Sequence, residues 1–366
     1  MKIAILGTRG IPNYYSGFEQ FAEYFSVSLA QKGHEVYCYN SHNHKFQEQN
    51  YKGVHIIHQY DPEYKMGTFG QFIYDFNCII DSRKRKFDII LQLGYTSSSI
   101  WFFLLPKKSI IITNMDGIEW KRTKYSKPVQ QFLKFAERLA AITSDYLVAD
   151  SIGIQKMLRE RYNKVSEYIA YGAFPFNNPN SEILKDYSLE EKSYNMLMAR
   201  FEPENNLQTI LDGVVIAQDP TIFIVVGNHN TKYGKLLKER YQNHKNIQFL
   251  GAIFDIDIVN NLRYYSKYYF HGHSVGGTNP SLLEAMASNA FIVAHNNHFN
   301  KGILQEDALY FANAEEVAKI LNSNQNIEYQ NFLINNFQKI TNEFNWNLIN
   351  QKYLTFFESC YNQHKK

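Results

Sequence analysis

The segment from His273 to Asn296 contains the residues of this sequence whose types and spacing best suit chemistry. It reads HSVGGTNPSLLEAMASNAFIVAHN, a loop of small residues followed by a helical pattern. Glycines let a ligand approach the backbone closely, and Pro280 suits the first turn of a helix. The N–H groups at a helix start attract phosphate, and Glu284, about one turn further on, could accept hydrogen bonds from sugar hydroxyls. The segment predicts a nucleotide-sugar site, and a helix cap with structural glycines is the alternative.

Arg200 lies in a second pattern of this kind, ARFEPENN, directly after the apolar run YNMLM. An arginine carries a permanent forked charge that matches phosphate oxygens and can stabilise the charge that grows on a departing diphosphate. The alternative is a surface ion pair between Arg200 and Glu202 or Glu204. The neighbouring Asn205 or Asn206 could simply cap the following helix.

The loop after the first strand, GTRGIPNYYSGFEQ, does not carry a dinucleotide fingerprint. Gly7 and Gly10 are spaced G-x-x-G, and Asn40 ends the second strand where an acidic ribose-binding residue is expected. The sequence therefore disfavours NAD binding. Arg9 and the helix start at Ser16-Gly17 remain, and Gly17 could present its N–H to a phosphate or serve only as part of a turn and cap.

Asp116 and Glu119 follow the strand pattern SIIITN in the stretch MDGIEWKR. A carboxylate at the carboxyl end of a strand could orient or deprotonate an acceptor hydroxyl, and ordinary loop acids beside basic residues are the alternative. His271 and His273 could bind a metal, but no third ligand stands at a suitable spacing, so packed or hydrogen-bonded histidines are favoured. No Ser-His-Asp or Cys-His set is evident.

Short β-rich apolar runs alternate with helical patterns along the whole chain, which is typical of doubly wound parallel sheets. The rhythm breaks in the polar stretch 173–192 and then restarts, so we predict two α/β domains at residues 1–175 and 190–345, with a cleft between them. A helical pattern is expected from Asn324 onward. The predicted strands are KIAILG, HEVYCY, VHIIH, FDIILQLG, SIIITN, YLVAD, VSEYIAYG, YNMLMAR, TIFIVVG, IQFLG and YYFHGH.

The composition excludes several classes of protein. A net charge of only +3 does not indicate a nucleic-acid partner, and three scattered cysteines fit neither a disulfide framework nor a metal cluster. No run of about 18 apolar residues is present, so no membrane span is expected. The cluster WKRTKYSK, Trp120–Lys127, could rest on anionic lipid headgroups, although such clusters usually mark only a solvated face.

Taken together, these motifs resemble those of retaining glycosyltransferases of the two-domain GT-B fold. More narrowly, they are similar to the bacterial rhamnosyltransferase branch that assembles capsular and cell-wall polysaccharides. The resemblance extends from Met1 to about Tyr361. It is carried by GTRGIP, YSGFEQFAE, NMDGIEWKR, ARFEPENN, HGHSVGGTNPSLLEAMA and FNKGIL.

The resemblance implies a role for each matching residue. The diphosphate of the donor would be bound by Gly17 from the first domain, by Arg200 from the second, and by the backbone amides of Gly277–Asn279. Glu284 would bind the nucleoside sugar, and Asp116 would lie near the reacting hydroxyl. A final helix, 346–366, would cross back to the first domain. The implied catalytic residues are Asp116, Arg200 and Glu284, and the implied donor-binding residues are Arg9, Gly17, Asn205, His273, Gly277, Thr278 and Asn279.

The function implied by the resemblance is transfer of L-rhamnose from dTDP-β-L-rhamnose to a lipid-linked saccharide, with retention at the anomeric carbon. The departing phosphate would take the acceptor proton, so neither a metal nor another cofactor is expected. The expected partners are a nucleotide-sugar donor, a lipid-linked saccharide acceptor and a membrane surface, but no nucleic acid. We expect a cytoplasmic protein, peripheral on the inner face of the membrane.

Two positions depart from the wider family. The usual first glutamate, eight residues before Glu284, is Gly276, and the usual lysine five residues after Arg200 is Asn205. Two alternatives therefore stay open. One is transfer of another hexose or 6-deoxyhexose from a UDP or GDP donor, and the other is a catalytically silent subunit that binds a sugar nucleotide.

Overall fold

The computed structural model of this protein describes residues 1–14, 17–122, 124–323 and 329–365. Ser16 of the predicted helix start, Thr123 of the basic cluster, and Asn324, where the last helical pattern was expected to begin, lie outside the described residues. No helix in the described ranges combines the length and the apolar character that a bilayer crossing requires.

The strands coincide closely with the predicted apolar runs. They are β1 Lys2–Leu6, β2 Glu35–Ser41, β3 Asn50–Tyr51, β4 Val54–Gln59, β5 Ile89–Leu93, β6 Ile110–Asn114, β7 Tyr146–Ala149, β8 Glu167–Tyr168, β9 Tyr194–Met198, β10 Ile222–Val226, β11 Ile247–Gly251, β12 Tyr268–His271, β13 Ile292–His295 and β14 Leu309–Phe311. The run VSEYIAYG forms only the two-residue strand β8, which is shorter than its apolar pattern suggested.

Helices connect most of these strands. They are α1 Gly17–Gln31, α2 Glu63–Met66, α3 Phe69–Ser82, α4 Lys127–Thr143, α5 Ile152–Tyr162, α6 Leu207–Ala217, α7 Lys232–Arg240, α8 Ile256–Tyr265, α9 Pro280–Ala287, α10 His298–Leu304, α11 Ala314–Asn322, α12 Tyr329–Asn342 and α13 Trp346–His364. Short 3-10 turns cover Ser99–Leu104, Glu119–Lys121, Ser181–Tyr187 and Pro203–Asn205.

The chain divides into two compact units. The first comprises Met1–Trp120, Ser126–Ala170 and the C-terminal segment from Trp346, and the second comprises Lys121–Tyr125 and Tyr171–Asn345. The sheet of the first unit has the order β3-β4-β2-β1-β5-β6-β7-β8, parallel except for the short β3. The sheet of the second unit has the order β11-β10-β9-β12-β13-β14 and is parallel throughout. The predicted fold class, two doubly wound parallel sheets, is confirmed.

Helix α13 completes the first unit from the far end of the chain. Its aromatic side chains pack on α1: the ring centroids of Phe21 and Tyr353 are 4.8 Å apart, and those of Phe25 and Phe357 are 5.4 Å apart. The hydroxyl of Tyr353 also accepts a hydrogen bond of 2.9 Å from the side chain of Asn114 at the end of β6. These contacts bury Tyr353 and Phe357 almost completely.

Candidate active site

Each sheet has one point at which the chain reverses its direction of winding. In the second sheet that point lies between β9 and β12, because β10 and β11 follow β9 on one side while β13 and β14 follow β12 on the other. Ligands of open α/β sheets bind outside the carboxyl ends of the strands at such a point. Arg200 follows β9, and His273 follows β12, so both predicted residues belong to this place in the fold.

Arg200 is exposed at the end of β9, and its expected surface partners are engaged elsewhere. Glu202 lies 3.3 Å from the ammonium group of Lys124, and Glu204 lies 3.6 Å from a guanidinium nitrogen of Arg122. Neither carboxylate therefore neutralises Arg200, which is the alternative that the sequence left open. A guanidinium that stays accessible beside a switch point can bind an anionic ligand.

The two neighbouring asparagines hold the loop after β9 in place. The Asn205 side chain is buried and donates a 2.8 Å hydrogen bond to the carbonyl oxygen of Arg200. Asn206 has a left-handed backbone, and its side chain donates to the carbonyl oxygen of Gly272 at 2.8 Å. The expectation that one of these side chains caps the following helix is wrong, because neither bonds to the first N–H groups of α6.

The loops after β9 and β12 are joined directly. The backbone N–H and the hydroxyl of Ser274 both donate to the carbonyl oxygen of Glu204, at 3.1 and 2.7 Å. Gly272 lies so close to this loop that a Cβ atom added to it would overlap the carbonyl oxygen of Asn205. The position of Arg200 relative to the glycine loop is therefore set by close backbone packing.

The Gly272→Ala variant tests this packing. The added methyl group has to push the two loops apart, so we expect a loss of about 1–3 kcal/mol in the free energy of unfolding and a weaker response to nucleotide. Gly302→Ala is the matched control, since a Cβ at Gly302 meets no atom within 4 Å. Urea unfolding measures both variants, and equal stability of the two would show that the loops adapt to the methyl group.

The glycine loop itself is held from the far side by two asparagines. The side chains of Asn297 and Asn300 donate to the carbonyl oxygen of His273 at 3.0 and 3.1 Å. Gly276 has a φ of +140°, and a Cβ built on it meets no atom within 4 Å. Within the described residues, the N–H groups of Gly276 and Gly277 form no hydrogen bond, and both residues are half-buried. These amides are therefore available to an anion.

Helix α9 starts as the sequence predicted, with Pro280 in its first position. Its N-cap is Asn279, whose side-chain oxygen accepts the N–H of Ser281 at 2.9 Å. This bond satisfies one of the N–H groups that a bare helix start would offer to a phosphate. The predicted anion contact therefore falls on the preceding glycine loop more than on the first turn of the helix.

Glu284 lies on α9 and is held by a residue that the sequence did not single out. A carboxylate oxygen of Glu284 is 2.9 Å from a guanidinium nitrogen of Arg263, which is completely buried. The same guanidinium donates to the hydroxyl of Ser281 at 3.2 Å and lies 5.6 Å from the ring centroid of Tyr269. Burial opposes the charge of Arg263, but the Glu284 carboxylate and then Tyr269 raise its pKa overall. The pair fixes the direction of the Glu284 carboxylate.

His273 is kept neutral by its surroundings. Burial, followed by the positive charges of Arg200 and Arg122, lowers its pKa to about 3. Its ring stacks on that of His271 with centroids 4.4 Å apart, and burial lowers the pKa of His271 as well. A neutral imidazole can exchange hydrogen bonds with hydroxyl groups without adding charge. Among the described residues, no three His, Cys, Asp or Glu side chains are grouped as metal ligands.

In the first unit, Arg9 follows β1, next to the point at which that sheet reverses its winding. Its guanidinium forms a two-bond pair with Glu63, with distances of 2.8 and 3.0 Å. Its backbone N–H donates to Glu19, which is buried in the first turn of α1. Arg9 thus anchors α2, and a direct contact with a donor would require this pair to open. Helix α1 begins at Gly17, as predicted.

Asp116 lies in the loop after β6 of the first unit. Its φ is +50°, and its backbone N–H donates to the side chain of Asn114 at 3.0 Å. Met115, Gly117 and Ile118 are buried around it, whereas Asp116 is half-exposed. The loop therefore presents one carboxylate at the carboxyl end of a strand, which is the geometry that an acceptor-binding acid requires.

Comparison with known proteins gives this geometry a family. Residues 180–339 match the family described as glycosyl transferases group 1, and residues 1–174 match a domain of unknown function, DUF1972. The chain carries a group 1 glycosyltransferase domain. No curated protein sequence matches the chain.

Solved structures of similar fold cover the whole glycosyltransferase. HepE from Anabaena, solved with UDP and glucose, has a TM-score of 0.74 at 16% identity and covers 98% of this chain and 100% of its own. Sucrose-phosphate synthase from Thermosynechococcus elongatus has a TM-score of 0.79 at 15% identity, with 99% of each chain covered. WaaG, a glycosyltransferase involved in lipopolysaccharide biosynthesis, has a TM-score of 0.73 at 11% identity and covers 96% of this chain and 98% of its own. The fold is GT-B.

Two cavities lie in the second unit of this glycosyltransferase. A narrow one of about 10 Å³ runs along the glycine loop, from His273 to Asn279, and is closed by Phe299 and Asn300. A larger one of about 460 Å³ is lined by Phe176, Asn180 and Asn261, among others, and contains none of the predicted site residues. The glycine loop itself has room for about one water, so a donor has to lie over it.

Sequence reasoning missed the residues that support this site. Arg263, Asn297 and Asn300 contact Glu284 or His273 from distant parts of the chain. Asn300 belongs to the motif FNKGIL, which carried part of the resemblance, so a signal for it was present. Arg263 lies in an ordinary helical pattern, NNLRYY, and no local feature marks it as buried.

Proposed function

We propose that the second unit binds the diphosphate of a nucleotide sugar between Arg200 and the glycine loop. The observation that carries this proposal is the accessible Arg200 beside a loop whose Gly276 and Gly277 amides have no acceptor within the described residues. Main-chain N–H groups and a guanidinium are a common combination for binding phosphate oxygens. Glu284, oriented by Arg263, would accept hydrogen bonds from the nucleoside sugar.

The same arrangement would favour glycosyl transfer. As the bond between sugar and diphosphate breaks, negative charge grows on the departing oxygen, and Arg200 stabilises that charge in the transition state. The departing phosphate takes the proton of the acceptor hydroxyl on the same face of the sugar, so the configuration is retained without a protein nucleophile. Asp116 orients the acceptor hydroxyl, and the contact of Gly17 with the diphosphate stays a prediction.

The donor that we propose is dTDP-β-L-rhamnose, and the acceptor a lipid-linked saccharide of a surface polysaccharide at the cytoplasmic face of the membrane. The motif resemblance supports both. Gly276 adds a chemical reason, because open space replaces the carboxylate that the wider family carries there. A 6-deoxyhexose has one hydroxyl group fewer than a hexose and requires fewer hydrogen-bond acceptors.

A UDP-sugar donor is the second candidate. It is favoured by the likeness in fold to HepE from Anabaena, which was solved with UDP and glucose. A silent sugar-nucleotide-binding subunit is the third, and Gly276 and Asn205, which replace charged residues of the wider family, are the features that favour it.

Thermal unfolding with dTDP, UDP or GDP separates these candidates. A nucleotide at about a hundred times its dissociation constant stabilises the folded state by about 2.7 kcal/mol, which raises the unfolding midpoint by several degrees. We expect dTDP to give the largest rise and Arg200→Ala to abolish it. Arg240→Ala, which removes an exposed arginine paired with Asp212, should keep the rise. A larger rise with UDP would replace the donor that we propose.

A further inference from the structure

The first unit exposes large apolar side chains on three neighbouring elements. We call these residues the aromatic face. Phe69 is 60% exposed, Phe103 61% and Phe135 54%. Large exposed apolar surface on a folded unit indicates a binding surface. The aromatic face consists of Tyr64 and Met66 of α2, Phe69 of α3, Phe102 and Phe103 of the 3-10 turn Ser99–Leu104, and Phe135 of α4.

Ring contacts join the three elements of this face. Phe72 of α3 lies 6.0 Å from Phe69 and 5.7 Å from Phe132 of α4, measured between ring centroids. The indole N–H of Trp101 donates to the carbonyl oxygen of Phe72 at 2.9 Å, and its ring lies 6.5 Å from that of Phe103. The exposed side chains therefore belong to one packed surface of the first unit.

Exposed lysines surround the aromatic face. The three stretches that form it, 63–72, 99–108 and 127–135, contain a single acidic residue, Glu63, which is paired with Arg9. Aromatic rings next to lysines, without free carboxylates, suit a negatively charged and partly apolar partner. The lysines are Lys65, Lys107, Lys108, Lys127 and Lys134, and all five are exposed.

The geometry points to a bilayer with anionic headgroups as the partner of the aromatic face. Aromatic side chains settle at the level of the headgroups, and each nearby lysine adds electrostatic attraction to an anionic surface. The basic cluster Trp120–Lys127 is less suitable, contrary to the sequence prediction. Two of its cations, Arg122 and Lys124, are paired with Glu204 and Glu202, and Trp120 donates to the buried Glu137.

This inference deepens the proposed function and rests on it for its purpose, because a lipid-linked acceptor is encountered at a membrane surface. Binding to vesicles is measured without donor or acceptor. Failure of vesicle binding and failure of glycosyl transfer are therefore separate results.

The test is cosedimentation of the full chain with vesicles of phosphatidylcholine alone, or of phosphatidylcholine and phosphatidylglycerol in equal parts. We expect binding only to the mixed vesicles, weakened about tenfold or more by Phe102→Ser/Phe103→Ser and by Lys107→Glu/Lys108→Glu. Phe254→Ser is the matched control, because Phe254 is 82% exposed in the second unit and is no part of this face. The lysine variant changes only exposed side chains, so it remains informative if the phenylalanine variant fails to fold.

Three results would overturn the proposal. The first is equal binding to both kinds of vesicle, and the second is an equal loss in Phe254→Ser. The third is a dimer in solution that Phe102→Ser/Phe103→Ser converts to a monomer, since the face would then be a contact between two copies of the chain.

Discussion

Alanine at Arg200 is expected to lower kcat about a hundredfold to a thousandfold, with little change in the stability of the fold. The side chain is exposed, so its removal costs few packing contacts. In the proposed reaction, however, its charge is needed most when the diphosphate departs, and loss of one such group raises the barrier by about 3–4 kcal/mol. The measurement is turnover of dTDP-rhamnose with a synthetic lipid-linked acceptor.

Two controls sharpen this prediction. Arg200→Lys keeps the charge but loses the forked geometry, so it should recover only part of the rate. Arg240→Ala removes an exposed arginine of the same unit and should leave kcat unchanged. Unchanged turnover in Arg200→Ala would exclude Arg200 from catalysis, and no turnover in the wild type with any donor would favour the silent subunit.

Replacing Arg263 with leucine is expected to produce the largest loss of stability. The variant leaves the largely buried Glu284 carboxylate without its cation and also removes the hydrogen bond to Ser281. Breaking a buried ion pair from one side costs about 3–5 kcal/mol, and the partial exposure of Glu284 places the expected loss near the lower value. Urea unfolding measures it. Arg240→Leu breaks a surface pair and should cost less than about 1 kcal/mol.

The double variant Arg263→Leu/Glu284→Leu separates structure from binding. It removes both charges together, so most of the lost stability should return. The stabilisation by dTDP should not return, because the carboxylate proposed to bind the nucleoside sugar is absent. A double variant that responds to dTDP like the wild type would show that Glu284 has only a structural role.

The sequence predicted those parts of the fold that depend on local patterns. Apolar runs located most strands, and the Asn279-Pro280 pair marked the start of α9, because strand burial and helix capping leave a signature within a few residues. Its position after an apolar run also placed Arg200 at a strand end. The short strand β8 is the exception: its apolar run is longer than the two residues that pair.

Residue pairs far apart in the chain could not be predicted in this way. Arg9 and Glu63 are separated by 54 positions, and no local rule indicates that they pair. Arg263 is similar, because a charged residue in a helix is normally exposed, and only tertiary structure brings it to Glu284. The environment of the candidate site therefore required coordinates, although most of its members did not.

Helix α13 has a consequence for how the protein is made. The first unit lacks this helix until the ribosome has added the last residues, so Phe21 and Phe25 of α1 have no aromatic partner during most of translation. Asn114, which binds both Tyr353 and the Asp116 loop, is likewise incomplete until then. The second unit can form earlier, since its elements are contiguous. A nascent chain stalled before Trp346 should therefore be protected from proteolysis in its later half and cleaved in its earlier half.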